Sequence, residues 1–162
     1  MLIGIMSDSH DNLVNIKKAV DKFNELGVDL VIHLGDICSP FSAKVLQGLR
    51  SEIIGVFGNN DGEVLGINRV VNGKFYKPPH LFEIENKKFI LFHEGDICQY
   101  ISEEIDFVLY GHSHKALVEY KGKQIIINPG AVSGYLSERS TVAILNTVEK
   151  VCDIMEIEVD SL

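Results

Sequence analysis

This 162-residue chain predicts a mixed α/β fold, two packed β-sheets with helices on the outside, and three observations carry that expectation. Short apolar runs alternate with helical periodicity through the first third of the chain, the pattern of parallel strands joined by covering helices. From about Phe75 onward the spacing changes to strand pairs around tight turns. Five apolar runs also end in Asp, His or Asn, so chemistry-bearing side chains collect at strand ends.

The first strand, Leu2-Ile3-Gly4-Ile5-Met6, leads into Asp8-Ser9-His10. A helix is expected from Asn12 to Leu26, because Leu13, Ile16, Ala19, Val20 and Phe23 recur at helical spacing and Gly27 stands at the C-terminal cap position. The strand Asp29 to His33 leads into Gly35-Asp36, and a short helix, Phe41 to Leu49, follows Ser39-Pro40 with Ala43, Val45, Leu46 and Leu49 as its apolar face. Ile53 to Phe57 then leads into Gly58-Asn59-Asn60-Asp61. Gly62 to Lys77 is rich in glycine, asparagine and charge and lacks clear period, so an exposed excursion near the site is expected. Leu81 to Ile84 and Lys88 to Phe92 flank the turn Glu85-Asn86-Lys87, and His93 follows directly. Asp96 is expected to cap a short helix running through Ile101. Phe107 to Tyr110 is a buried run ending in Gly111-His112-Ser113-His114. Ala116 to Tyr120 and Gln124 to Ile127 flank Lys121-Gly122-Lys123, and Thr141 to Leu145 with Val151 to Val159 form a final pair.

The length suits one domain over residues 1–162, without a cap domain. A hydrophobic fraction of 46% is ordinary globular usage, while the formal charge of -8 argues against a broad phosphate-binding surface, so extended nucleic-acid binding is not expected. Cations held among carboxylates would make one site locally positive, which leaves a phosphorylated small molecule open. Three widely spaced cysteines, Cys38, Cys98 and Cys152, fit neither a disulfide framework nor a zinc knuckle and read as reduced thiols. The opening residues lack a basic leader, and no stretch approaches the roughly 20 apolar residues of a membrane span, so a cytoplasmic protein without a membrane partner is expected.

A His-x-His pair is weak evidence alone, because alternate strand residues share a face and either ring can simply be solvated. Asp8 alone would read as a helix cap, Gly35-Asp36 as a strand-to-helix turn, and His93 as a satisfied histidine. Their company reverses those readings: Asp8, His10, Asp36, Asn59, His93, His112 and His114 together offer imidazole, carboxylate and amide oxygen, a set that borderline divalent metals accept. His33, inside an apolar run, reads as core, and His80 as surface loop.

Asp8-Ser9-His10, Gly35-Asp36, Gly58-Asn59-Asn60-Asp61, His93 and Gly111-His112-Ser113-His114 stand in the order of the motifs of the calcineurin-like metallophosphoesterase family. The chain resembles that family over about residues 2 to 130, and its small size resembles the short phosphodiesterase branch, to which a non-catalytic retromer scaffold subunit is related. The resemblance implies a four-layer αββα sandwich. It implies a dinuclear site in which Asp8, His10, Asp36 and His114 hold one metal, Asp36, Asn59, His93 and His112 hold the other, and Asp36 bridges them. Two divalent ions per chain are implied, manganese or nickel first, with iron, cobalt or zinc compatible. Asp36, Asn59, Asn60 and His112 are the catalytic residues it implies, for in-line attack on a small phosphodiester by a hydroxide bridging the two metals. Self-association is left open.

The family pattern has histidine where this chain has Asn60, and an amide cannot donate a proton near neutral pH. Diesters with good leaving groups, or leaving groups protonated by solvent, are therefore expected. Asp61 is expected to position Asn60 or a ligand histidine. Asn128-Pro129-Gly130 resembles the family's NPG turn and should shape backbone near the site, although Ala131 and Val132 stand where a hydroxyl neighbour is expected. Two alternatives carry less weight: a protein-interaction scaffold of the same fold, which degraded metal positions would favour, and a metal-dependent nuclease or phosphomonoesterase sharing the same chemistry.

Overall fold

Side-chain alternation along the first strands sets the layers. In the computed structural model, which describes residues 1–137 and 139–157, Ile3 and Ile5 of β1 (Leu2–Met6) face one side and Met6 the other. Leu30 and Ile32 of β2 (Leu30–His33) join the first side and Val31 the second. The first side packs against a second sheet and the other lies beneath helices.

The helices are α1 (Leu13–Leu26), α2 (Pro40–Val45) and α3 (Val64–Val70). Asn12 caps α1 by accepting from the Asn15 N–H at 3.1 Å, and Gly27 ends it in a left-handed conformation, with Ile16, Ala19, Val20 and Phe23 buried between. Ser39 caps α2 and Pro40 occupies its first turn, after which the chain tightens into a 3₁₀ turn at Leu46–Gly48. With β3 (Glu52–Val56) and β4 (Phe75–Tyr76), β1 and β2 form the parallel part of the first sheet.

The remaining strands are β5 (His80–Ile84), β6 (Lys87–Leu91), β7 (Phe107–Leu109), β8 (Leu117–Lys121), β9 (Gln124–Asn128), β10 (Ser140–Asn146) and β11 (Val151–Ile157). The first sheet runs β11-β10-β1-β2-β3-β4 and the second β5-β6-β7-β9-β8, and both mix parallel and antiparallel pairs. Between them Ile3, Ile5, Ile32, Phe89, Phe107 and Ile127 form a dry core, with the Phe89 and Phe107 rings stacked at 4.7 Å. Truncating Phe107 to alanine there costs about 3 to 5 kcal/mol. Outside the second sheet, Val108 and Ile126 are covered by the 3₁₀ turn Cys98–Tyr100 together with Ile101 and Ile105.

Three expectations need correction. Residues 62–77 are not an excursion: they form α3 and β4, with Ile67, Val71 and Phe75 buried in the helix-facing core. Those apolar positions have helical spacing, but one seven-residue helix interrupted by Gly66 is too short to show a period. Asp96 caps nothing, since the turn starts after Ile97 without a side-chain cap and the Cys98 N–H reaches the Gly95 carbonyl at 3.0 Å. His80 begins β5 and stacks on Tyr76 at 3.8 Å instead of sitting in a loop. The end of the expected last strand, Glu158 and Val159, lies outside the described residues, and β11 is described to Ile157.

Candidate metal centre

Parallel pairing of β1, β2 and β3 in one sheet and of β6 and β7 in the other brings the C-terminal ends of these strands to one edge, where their loops converge. The loops are sewn together by backbone bonds: Asp8 N–H to the Gly35 carbonyl and His10 N–H to the Asp36 carbonyl, both 3.0 Å, and Gly111 N–H to the His93 carbonyl at 2.9 Å. Asp8, His10, Asp36, His112 and His114 all have left-handed φ, at 52, 40, 59, 63 and 57°. Such backbone costs on the order of 1 to 3 kcal/mol per residue and persists only where surroundings impose it. Glycine is required where loops touch: a Cβ on Gly111 would strike the Ser7 hydroxyl and come within 2.7 Å of Asp8 Oδ2, and one on Gly58 would strike the Asp36 carboxylate.

Two clusters of ligand-capable atoms result, Asp8 with His10 and His114, and Asp36 with His93 and His112. In the first, Asp8 is fully buried; its Oδ2 accepts from the His112 N–H at 2.9 Å and from the Ser7 hydroxyl. Among the described residues its Oδ1 has no hydrogen-bond donor, and it lies 3.2 Å from His114 Nε2 and 3.6 Å from His10 Nε2, while those two ring nitrogens are 3.2 Å apart. A buried anionic oxygen with no donor is costly unless a cation meets it, and this set of one carboxylate and two imidazoles fits a divalent metal.

In the second cluster His93 Nδ1–H donates to the Leu34 carbonyl at 2.7 Å, so in the neutral ring Nε2 is the lone-pair nitrogen. That nitrogen faces the Asn59 side-chain oxygen at 2.9 Å and Asp36 Oδ2 at 3.3 Å. Asp36 Oδ2 is also 3.6 Å from His10 Nε2, so one carboxylate oxygen touches both clusters. His112 is exposed above this cluster, its ring edge-on to His93 at 5.1 Å. All seven sequence-selected candidates thus meet at one edge, and Asn60 joins them by donating its backbone N–H to Asp36 Oδ1 and its amide to Oδ2, each at 2.8 Å.

Electrostatics follow the geometry. Burial pushes the Asp8 carboxyl up, but the His10 ring 3.6 Å away and the bond from the Ser7 hydroxyl outweigh it and hold Asp8 below its ordinary value. Burial likewise opposes ionisation of Asp36, but His93, whose Nε2 carries a proton when the ring is charged, and the two bonds from Asn60 overcome it, so this pKa too is lowered. Asp8 raises the pKa of His10; burial lowers that of His93, but Asp36 and the Leu34 carbonyl raise it by more. Cys38 comes within 3.6 Å of His10 Nδ1, yet burial and then the charge of Asp11 push its thiol up to about 12, so it stays protonated and is a poor ligand. His33 is fully buried between the Ser9 hydroxyl and the Gly35 N–H, supporting the loops from within.

Sequence reasoning misplaced Asp61 and missed Asn128. The Asp61 carboxylate accepts from the backbone N–H groups of Gly58 at 2.6 Å, Asp36 at 3.0 Å and Cys38 at 2.7 Å, so it holds the loop carrying Asp36 rather than Asn60 or a histidine. Asn128 donates to the Gly111 carbonyl at 2.9 Å and to the Ser113 hydroxyl at 3.0 Å, fixing the loop that carries both histidines. Its place beside Pro129-Gly130 drew attention to backbone geometry and hid the side chain's task. The Thr141 hydroxyl donates to the Pro129 carbonyl at 2.7 Å and so ties this turn to β10.

Residues 1–150 match the family described as the calcineurin-like phosphoesterase superfamily domain. A phosphodiesterase of Methanocaldococcus jannaschii is 38% identical over 158 residues, covering 93% of this chain and 95% of its own. A phosphodiesterase of Escherichia coli is 26% identical over 149 residues, 82% of this chain and 80% of its own. Among solved structures, an archaeal phosphodiesterase superposes with a TM-score of 0.89 at 36% identity, spanning 96% of this chain and 99% of that one. Vacuolar protein sorting 29 from Cryptosporidium parvum superposes at 0.64 with 16% identity over 96% of each chain, a likeness of fold alone. No helix among the described residues is long and apolar enough to cross a membrane.

Proposed function

This chain belongs to the calcineurin-like phosphoesterase superfamily, and from that premise we propose that it is a metal-dependent phosphodiesterase acting on small diesters at the paired clusters. The observation that carries the reading is the shared oxygen: Asp36 Oδ2 stands 3.6 Å from His10 and 3.3 Å from His93, a position suited to a carboxylate that bridges two cations. Asp8, His10, Asp36 and His114 are suited to hold one divalent cation, and Asp36, Asn59, His93 and His112 a second, with manganese or nickel first among candidates. Bound there, the cations would acidify water and offset charge growing on the phosphoryl oxygens.

The protein's own groups orient and stabilise. Asn60 spends one amide hydrogen on Asp36 and has a second available for a phosphoryl oxygen, while His112, exposed at the rim, can meet the same group. Neither Asn60 nor any carboxylate held below its ordinary pKa is a general acid at neutral pH, which favours esters whose leaving group needs no enzymic proton. We take residues 1–162 as one domain without an inserted cap, and the protein as cytoplasmic.

Metal analysis of the purified protein, with hydrolysis of bis-p-nitrophenyl phosphate and p-nitrophenyl phosphate measured with and without manganese or nickel, tests the reading. Metal-dependent turnover that favours the diester is expected. Silence with every metal overturns it.

A further inference from the structure

A cleft opens beside each cluster. The smaller, about 480 Å³, is lined by His10, Asn60, His114 and the exposed Tyr135 and Leu136. The larger, about 560 Å³, starts at Asn59 and His93 and extends between Phe57, Pro78, Phe92 and Ile97. A phosphoryl group at the clusters therefore has space for an organic substituent on either flank, which a diester fills and a monoester does not.

The larger cleft has its own chemistry. Its walls are aromatic and apolar, and Ile97 at the rim is 52% exposed, so an apolar surface is left open to water beside the reacting centre. Phe57 and Phe92 line it, so a planar group entering would lie beside aromatic carbon. Its charged lining is Lys77 against Glu94 and Asp96, so a further anionic group entering there meets more negative than positive charge. Resting on the phosphodiesterase reading, we infer that this cleft selects diesters in which one substituent is an uncharged, planar aromatic group.

Phosphinates keep the diester's single negative charge and have no ester bond to hydrolyse, so they separate binding from turnover. Calorimetry on the manganese-loaded protein compares dimethylphosphinate, methylphenylphosphinate and methyl(4-carboxyphenyl)phosphinate. One phenyl ring is expected to tighten binding about tenfold or more, the size of burying one ring, and the ring carboxylate to cancel most of that gain. Ile97→Asp, a change at a half-exposed rim position, is expected to reduce the phenyl gain to threefold or less. Equal affinity for dimethyl and methylphenyl ligands overturns the assignment, as does a phenyl gain that survives Ile97→Asp. Turnover of bis-p-nitrophenyl phosphate is read separately: turnover without a phenyl gain removes the cleft assignment alone, and a phenyl gain without turnover upholds the cleft and removes the hydrolase.

Discussion

The two halves of the candidate centre are finished to different degrees. Around Asp36 and His93 the protein holds both carboxylate oxygens and one ring nitrogen with its own donors and acceptors: Asn60 donates to both oxygens of Asp36 and the Leu34 carbonyl accepts from His93 Nδ1, while His93 Nε2 is turned toward the Asn59 oxygen, where a cation would meet both. Around Asp8 and His114 it does so less, since among the described residues Asp8 Oδ1 and His114 Nδ1 are buried without a hydrogen-bond partner, and His10 Nδ1 lies 3.6 Å from the Cys38 sulfur. Left-handed backbone serves both halves, but hydrogen bonds to the ligand atoms hold the Asp36 half more completely than the Asp8 half. Preorganisation lowers the cost of binding, so the halves should differ in affinity and in tolerance of change.

Breaking what they share should have the largest effect. Asp36→Asn is expected to release both cations and lower diester turnover about a thousandfold, read by metal content and by rate; retention of both ions would mean the halves do not meet at this oxygen. Gly111→Ala should strike the Asp8 half hardest, because its Cβ enters the space of Ser7 and Asp8. One cation per chain should remain, with turnover down about a hundredfold.

Asp61→Asn tests the hydrogen-bonded half. Its amide turns a donor toward one of three backbone N–H groups, and a loss of roughly 10 to 100-fold in turnover or metal affinity is expected, as for other groups that orient ligands. Calorimetric titration of the metal-free protein with manganese sharpens the comparison: two steps about tenfold apart, the weaker abolished by His114→Ala. Both should strengthen as pH rises, because His10 and His93 hold their protons above the ordinary histidine value and a cation must displace them.

The smallest effect concerns His33, beneath both halves. Burial pushes its pKa down to about 4, and protonation would set a ring N–H against the Gly35 N–H. The unfolded chain, with its histidine near 6.5, binds the extra proton first, so this contribution to stability is complete above that value and is lost as pH falls toward 4. Unfolding free energies from denaturant titrations between pH 7 and 5 should fall by roughly 1 kcal/mol per pH unit more in the wild type than in His33→Gln, once other acid-sensitive groups are shared between the two.

Much of the fold is written locally. β1, α1 and β2 announce themselves because each carries its own period and cap, Asn12 and Gly27 included. The short α3 does not, since its buried apolar residues acquire meaning only from the sheet they cover. The candidate ligands could be named because they follow apolar runs, and a polar residue at a buried strand's end needs a reason. Asp61 could not be assigned its task, because its partners are backbone N–H groups up to 25 residues away, which no side-chain pattern records.

Residue types and their order along the chain determined the two-sheet architecture and the chemistry on offer, because periodicity decides which face is buried and donor atoms decide which ions can bind. Tertiary structure alone decided that Asp36 stands between His10 and His93, that five candidate ligands adopt left-handed backbone, and that hydrogen bonds hold one half more completely than the other. These are properties of loops pressed together from both sheets, and distances of a few ångström between segments far apart in the chain exist only once the strands beneath them have paired.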